Sequence, residues 1–245
     1  MQYSKRTSDC IEWIKDFFKS ANKKTAVVGI SGGKDSAVCA RLCVEALGQV
    51  NVIGVLMPNS VQKDIKDSYS VISQIGIRPL EINIGDSYDS IINQLPTFYI
   101  EPSQQTKINL APRLRMATLY AVAQSLEDAL VCNCTNKCES IVGYGTIYGD
   151  ISGDFAPLAD MMVSEVIETG LELGLSKSIM KKAPSDGLSG KTDEENLGFT
   201  YFDLEGYLIG WPFQSQELRD KIQNAIDRSK FKRTLINIPH FVQTC

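Results

Sequence analysis

The stretch TAVVGISGGKDSAVCARLCVEALG, Thr25 to Gly48, runs from a β-branched apolar segment through a glycine pair into a mixture of small and apolar residues. It reads as a strand whose end opens directly into a helix from about Lys34 to Leu47. Lys34 gives the junction a superficial likeness to the phosphate loop G-x4-G-K-[ST]. That pattern fails twice, because Val28 stands five positions before Gly33 and Asp35 follows Lys34. The dinucleotide fingerprint G-x-G-x-x-G fails too, with Ser31 where its second glycine belongs.

What remains is S-G-G-x-D-S at a strand-to-helix junction. Paired glycines let the backbone approach an anion closely, and the first N–H groups and dipole of the helix favour negative charge. Ser31 and Ser36 add hydroxyls on either side. Asp35 is the odd member, since a carboxylate beside a phosphate is repulsive unless a cation lies between them, and it therefore implies Mg²⁺. A plainer reading makes the glycines a tight turn and Asp35 a helix cap; the full hexapeptide in this context speaks against it.

Outward from this loop the strand–helix alternation continues. An amphipathic helix over residues 3 to 20 precedes it, carrying Ile11, Trp13, Ile14, Phe17 and Phe18. NVIGVLMP at 51 to 58 reads as a second buried strand, followed by a helix near Lys63 to Ile75 and a third strand, RPLEINI. Residues 86 to 107 look irregular, broken by Pro96 and Pro102. A long helix is expected from Pro112 to Leu126, with Pro112 in its first turn, and ALVCNCT gives a fourth strand. The glycine-bearing segment GYGTIYGDISGDFAP reads as a loop, ADMMVSEVIETGLELG as a helix ended by Gly174, APSDGLSGKTDEENLGFT as a long polar loop and Gln214 to Lys230 as a closing helix. The pattern predicts an α/β fold with a doubly wound, mostly parallel sheet flanked by helices. With no internal repeat or low-complexity linker, residues 1–245 are expected to form a single domain.

Net charge is −4 over 245 residues, which supplies no overall basic field for nucleic acid or anionic membrane, so any phosphate binding must be local. The N-terminus lacks the apolar core of a signal peptide and no run approaches a membrane span; a cytoplasmic protein is expected. Seven cysteines are an odd number in a chain too large to need disulfide staples, so reduced thiols are expected. Cys132, Cys134 and Cys138 form C-x-C-x3-C, which with His240 could seed a metal site, but zinc motifs normally carry C-x2-C pairs and the reading goes against one. Cys39 and Cys43, one helical turn apart on an apolar face, read as core packing.

SGGKDS matches the pyrophosphate loop of the N-type ATP pyrophosphatases, whose members split ATP into AMP and pyrophosphate by adenylating an oxygen of their substrate. Within that superfamily, NLAPRLRMATLYAVAQ, TNKCESIVGYGTIYGDISGDFAPLAD, KKAPSDGLSGKTDEENLGFTY and KFKR resemble the successive blocks of the ammonia-dependent NAD synthetases, in order and over nearly the whole chain. The resemblance implies an adenine nucleotide alpha hydrolase-like fold and a two-step reaction. ATP adenylates the nicotinate carboxylate of deamido-NAD, and ammonia then displaces AMP to give NAD. It further implies a homodimer and, at this chain length, free ammonia or a separate ammonia source rather than a glutaminase domain.

By the same resemblance Gly29, Ile30, Ser31, Gly32, Gly33, Lys34, Asp35 and Ser36 would hold ATP, together with Cys134, Thr135 and Ser185. Asp35, Ser36 and Glu139 would be catalytic, with Asp35 and Glu139 as Mg²⁺ ligands. Arg113, Asp154 and Lys232 would contact deamido-NAD. The sequence also departs from the family. Ile147 and Val163 stand where lysines are common, Phe231 replaces a histidine, and the strand-end threonine falls on Cys134. Lys34, Lys137 or Lys191 could replace the missing charge. Two other readings stay open: an ATP pyrophosphatase acting on another substrate, and a nucleotide-binding relative without catalysis.

Overall fold

A computed structural model describes residues 3–62, 64–182, 192–213, 215–235 and 238–243. In chain order the elements are α1 (Lys5–Ser20), β1 (Thr25–Gly29), α2 (Lys34–Leu47), β2 (Val52–Leu56), α3 (Ile65–Ile75), β3 (Arg78–Glu81), α4 (Gly85–Gln94), α5 (Gln104–Ser125), β4 (Ala129–Val131), α6 (Lys137–Val142), α7 (Val163–Glu172), α8 (Lys177–Met180), α9 (Asp193–Leu197), α10 (Tyr201–Leu208) and α11 (Gln216–Leu235). The strands form one sheet in the order β3-β2-β1-β4, every neighbouring pair parallel.

Both faces of this sheet are covered, which is why β2 is buried at every position and neither central strand shows a polar alternation. Side chains still alternate between the two faces. Val28 and Leu56 enter a core with Ile14 and Phe18 of α1, Val38 and Leu42 of α2, and Val166 of α7. Val27 and Val55 enter a second core with Met116, Leu119 and Ala123 of α5. A third cluster lies away from the sheet, where Cys138, Val142, Leu204 and Ile222 bring α6, α10 and α11 together.

The doubly wound parallel architecture agrees with the expectation, and three local readings are corrected. Residues 86 to 107 are not irregular throughout: α4 occupies Gly85–Gln94, with Asp86 favourably placed in its first turn, and Pro96 marks its end within a 3-10 turn over Leu95–Phe98. Helix α5 begins at Gln104, capped by Ser103, whose side chain accepts from Thr106 N at 3.1 Å, so Pro112 is inside the helix rather than in its first turn. The proline ring meets Gly149 there, where a Cβ would lie 2.9 Å from Pro112 Cβ. Thirdly, the described part of the polar segment, 192 to 200, holds the short helix α9, opened by a capping box between Thr192 and Glu195. The closing helix also runs on to Leu235.

Helix α1 is fastened to α7 by polar contacts at its start. Glu172 accepts hydrogen bonds from Ser4 Oγ at 2.8 Å and Thr7 Oγ1 at 2.5 Å, and Arg6 pairs with Glu165 at 2.9 Å. The Thr7 hydrogen bond, foremost, holds the Glu172 carboxyl below its ordinary value of 4.5. A carboxyl depressed in the folded state contributes stability above the unfolded pKa and loses it as pH falls through the folded one. Glu172→Gln is therefore expected to flatten the acid limb of a urea-denaturation series in that window. At neutral pH it should cost at most about 1 kcal/mol, because the site is exposed.

Candidate active site

The strand order creates a crevice. The chain leaves β1 toward β2 and β3 on one side and returns to β4 on the other, so the carboxyl ends of β1 and β4 flank the switch point where open α/β sheets take their ligands. The loop 30–33 leaves β1 there, and residues 132–136 leave β4.

The loop is held open by its own hydroxyls. Gly33 N donates to Ser31 Oγ at 3.2 Å, Ser31 N donates to Ser36 Oγ at 3.3 Å, and Ser36 Oγ donates to Gly33 O at 3.1 Å. Gly33 is the N-cap of α2 and offers no side chain to its free N–H groups, which leaves them for an anion. Gly32 has φ +81°, and a Cβ on it would meet Ser68 N and Asp67 Cβ at 2.8 Å. Gly32→Ala is expected to cost about 1–2 kcal/mol in backbone strain alone and to push the loop off α3. Calorimetry should then show ATP binding weakened by at least about tenfold, with thermal unfolding separating that loss from global destabilisation.

Asp35, in the first turn of α2, is met from the other side of the crevice by Asn136. The Asn136 amide Nδ2 donates to Asp35 Oδ1 at 3.0 Å. Its Oδ1 accepts from Glu139 N at 3.0 Å, while Asn136 N donates to Glu139 Oε2 at 3.1 Å, the capping box of α6. One fully buried asparagine thus ties the two carboxylates that the sequence nominated as metal ligands. Burial first, then the charge of Asp35, holds Glu139 well above the ordinary glutamate range. Lys34 is 4% exposed, with Nζ 2.9 Å from Asp35 Oδ2. Burial opposes its charge, yet Asp35, Glu139 and Asp193 together keep its pKa above the usual lysine value.

Asp193 is the member that sequence reasoning missed. It lies at the start of α9, buried, and accepts from Tyr201 OH at 3.4 Å. Its sequence signal was faint, an aspartate within a polar stretch that reads as an ordinary acidic first turn. Arg115 was missed as well: half-buried, it donates from Nε to Met57 O at 3.0 Å, just past the end of β2.

The remaining nominated residues fall elsewhere. Arg113, Asp154 and Lys232 gather around the 143–155 loop rather than the carboxylates. Arg113 Nε donates to Ile147 O at 3.1 Å, Asp154 accepts from Val131 N at 2.7 Å and Tyr120 OH at 3.2 Å, and Lys232 Nζ donates to Gly143 O and Gly145 O, each at 2.6 Å. Thr135 Oγ1 donates to Asp150 O at 3.2 Å, and Cys134 turns toward other thiols. Ser185 and Lys191 lie outside the described residues. Of the lysines that could replace missing charge, Lys34 sits among the carboxylates, whereas Lys137 pairs with Asp160 at 2.9 Å. Val163 packs against the third core cluster. His240 is apart from the thiols, its backbone bridged to Ala156, and Cys138 faces Glu205 instead.

The crevice therefore combines an anion-accepting helix start with hard oxygen donors held at fixed spacing. The family model described as NAD synthase matches residues 6–239. An NH(3)-dependent NAD(+) synthetase of Finegoldia magna is 40% identical over 235 residues, 95% of each chain. Among solved structures, an NMN synthetase from Francisella tularensis superposes with a TM-score of 0.87 at 33% identity, covering 98% of this chain and all of that one. An NH3-dependent NAD synthetase from Campylobacter jejuni gives 0.76 at 28% identity, with 99% of this chain covered.

Proposed function

Because the chain belongs to the NAD synthase family, we propose that it is a C–N-bond-forming ligase that amidates deamido-NAD to NAD with ammonia, consuming ATP through an adenylated nicotinate carboxylate. The observation that carries this reading is the pairing of the S-G-G-x-D-S loop with Asp35 and Glu139 across one crevice.

The donor set suits Mg²⁺, since both carboxylates are hard oxygen ligands pre-oriented by Asn136. Asp35 and Glu139 would hold it, and when bound it neutralises charge on the phosphates. The N–H groups at the start of α2, with Ser31 and Ser36, hold the β- and γ-phosphates of ATP. Lys34 adds positive charge within the same cluster. A carboxylate oxygen of deamido-NAD attacks the α-phosphorus and pyrophosphate leaves; ammonia then attacks the acyl carbon, AMP leaves with the bonding electrons, and the nitrogen loses a proton. Neutral ammonia is already nucleophilic and needs no strong base.

By the family resemblance, Cys134, Thr135 and Ser185 would contact ATP. Arg113, Asp154 and Lys232 shape the dinucleotide side through the 143–155 loop. The chain acts as a single domain over residues 1–245 and as a cytoplasmic homodimer. The homodimer rests on the family resemblance alone. No helix among the described residues is long and apolar enough to cross a membrane.

The test is incubation with deamido-NAD, ATP, Mg²⁺ and ammonium, measuring NAD and AMP. No turnover above the enzyme-free control refutes the proposal. The Francisella structure motivates a parallel arm with nicotinate mononucleotide; turnover confined to that arm would keep the chemistry and replace the substrate.

A further inference from the structure

Three thiols from distant stretches converge behind the nucleotide loop. Cys39 lies in the second turn of α2, Cys132 and Cys134 just past β4, and their Sγ atoms all lie within 4.8 Å of one another. Cys132 and Cys134 are two residues apart in extended chain, which sends both side chains to one side. Helix α2 packs on that side and delivers Cys39. The cluster is built from the end of β4 and the helix that follows the phosphate loop, the two elements that frame the crevice.

Cysteine is also a small apolar side chain, and several here are used as such. Cys10 Sγ faces Pro157 O at 3.8 Å, and Cys138 Sγ faces Glu205 at 3.9 Å. The trio differs because its sulfurs share one centre. Cys39 and Cys132 are buried, while Cys134 is partly exposed, so the cluster has one accessible member.

We propose that Cys39, Cys132 and Cys134 form a site for a thiophilic d¹⁰ cation, Zn²⁺, with a fourth position open on the Cys134 side. Zinc bound to thiolates at about 2.3 Å sets tetrahedral sulfurs about 3.8 Å apart, so contraction of the trio by no more than about 1 Å suffices. Three soft sulfurs exclude Mg²⁺, just as the Asp35–Glu139 oxygens favour it. The chain then carries two neighbouring cation sites of opposite chemical preference. Binding releases thiol protons, and the first is already loosened: hydrogen bonds from Cys132, then Cys39, bring Cys134 down to about 5. This site does not depend on the amidation reading, because its test reads the metal and not turnover.

The full chain, kept reduced with a phosphine, is titrated with Cd²⁺ while thiolate-to-cadmium charge-transfer absorption is followed. Saturation at about one equivalent, reversed by excess Zn²⁺, is expected. Cys39→Ala and Cys134→Ala should each weaken binding by at least about tenfold. Cys138→Ala, whose equally buried thiol faces Glu205 instead of the trio, should leave it intact, and circular dichroism on every variant separates loss of the site from loss of the fold. Should Cys39→Ala misfold, Cys39→Ser is read in its place. A wild-type chain without the band, or a folded position-39 variant that keeps it, overturns the proposal.

Discussion

Asp35→Asn is expected to reduce ATP-dependent amide formation by about 10³-fold, on the order of 4 kcal/mol of transition-state stabilisation. The substitution preserves shape, and its remaining carbonyl can still accept from Asn136 Nδ2, now 3.0 Å from Asp35 Oδ1. What it removes is one negative charge. The Lys34 ammonium, 2.9 Å away and nearly fully buried, loses the nearest of three carboxylates, with Glu139 and Asp193 remaining. The fold should therefore survive while Mg²⁺ no longer finds two anionic ligands. Pyrophosphate release across a Mg²⁺ titration, with thermal unfolding in parallel, checks both halves. Activity within tenfold of wild type would remove Asp35 from the metal site.

Phe155→Ala is expected to cost about 3–5 kcal/mol of folding stability. Phe155 is fully buried and packs edge-on to Phe18 at 5.0 Å and against Phe17 at 5.9 Å. Its carbonyl accepts from Asn133 N at 2.8 Å. The side chain is thus the anchor by which the 143–155 loop is joined both to the main core and to the end of β4. Urea denaturation should show a lower midpoint at unchanged slope. A loss below about 1 kcal/mol would mean that the loop is held mainly by its backbone bonds and by Lys232.

These two residues also show what the sequence made legible. Asp35 could be singled out because its meaning is local: the glycines, hydroxyls and carboxylate lie within six consecutive positions at a strand end. The alternation of elements was equally readable, since buried parallel strands are continuous apolar runs. Contacts between distant segments left no such trace. Cys39 and Cys134 meet only because α2 packs over the end of β4, so C-x-C-x3-C pointed to Cys138, which helix α6 turns toward a different cluster. Asp193 reaches Lys34 and Glu139 from α9, far along the chain. The start of α5 was misplaced because Pro112 is a strong local signal for a first turn. Here its ring packs on Gly149, and the helix is capped at Ser103 instead. Lys232 spends two hydrogen bonds on the carbonyls of Gly143 and Gly145, another contact between distant segments that no local pattern announces.

The asparagine at position 136 couples two events that are often separable. Its single amide plane winds the first turn of α6 and orients Asp35 at once. The distance between the two carboxylates is accordingly a product of folding, settled before any nucleotide arrives, and little ordering remains to be done on binding. It also narrows the routes open to mutation. Aspartate at that position would keep the cap but set a third negative charge against Asp35, and serine would keep the cap but fall short of it. Helix and site stand or fall as one inherited unit, with a neutral side chain at their junction.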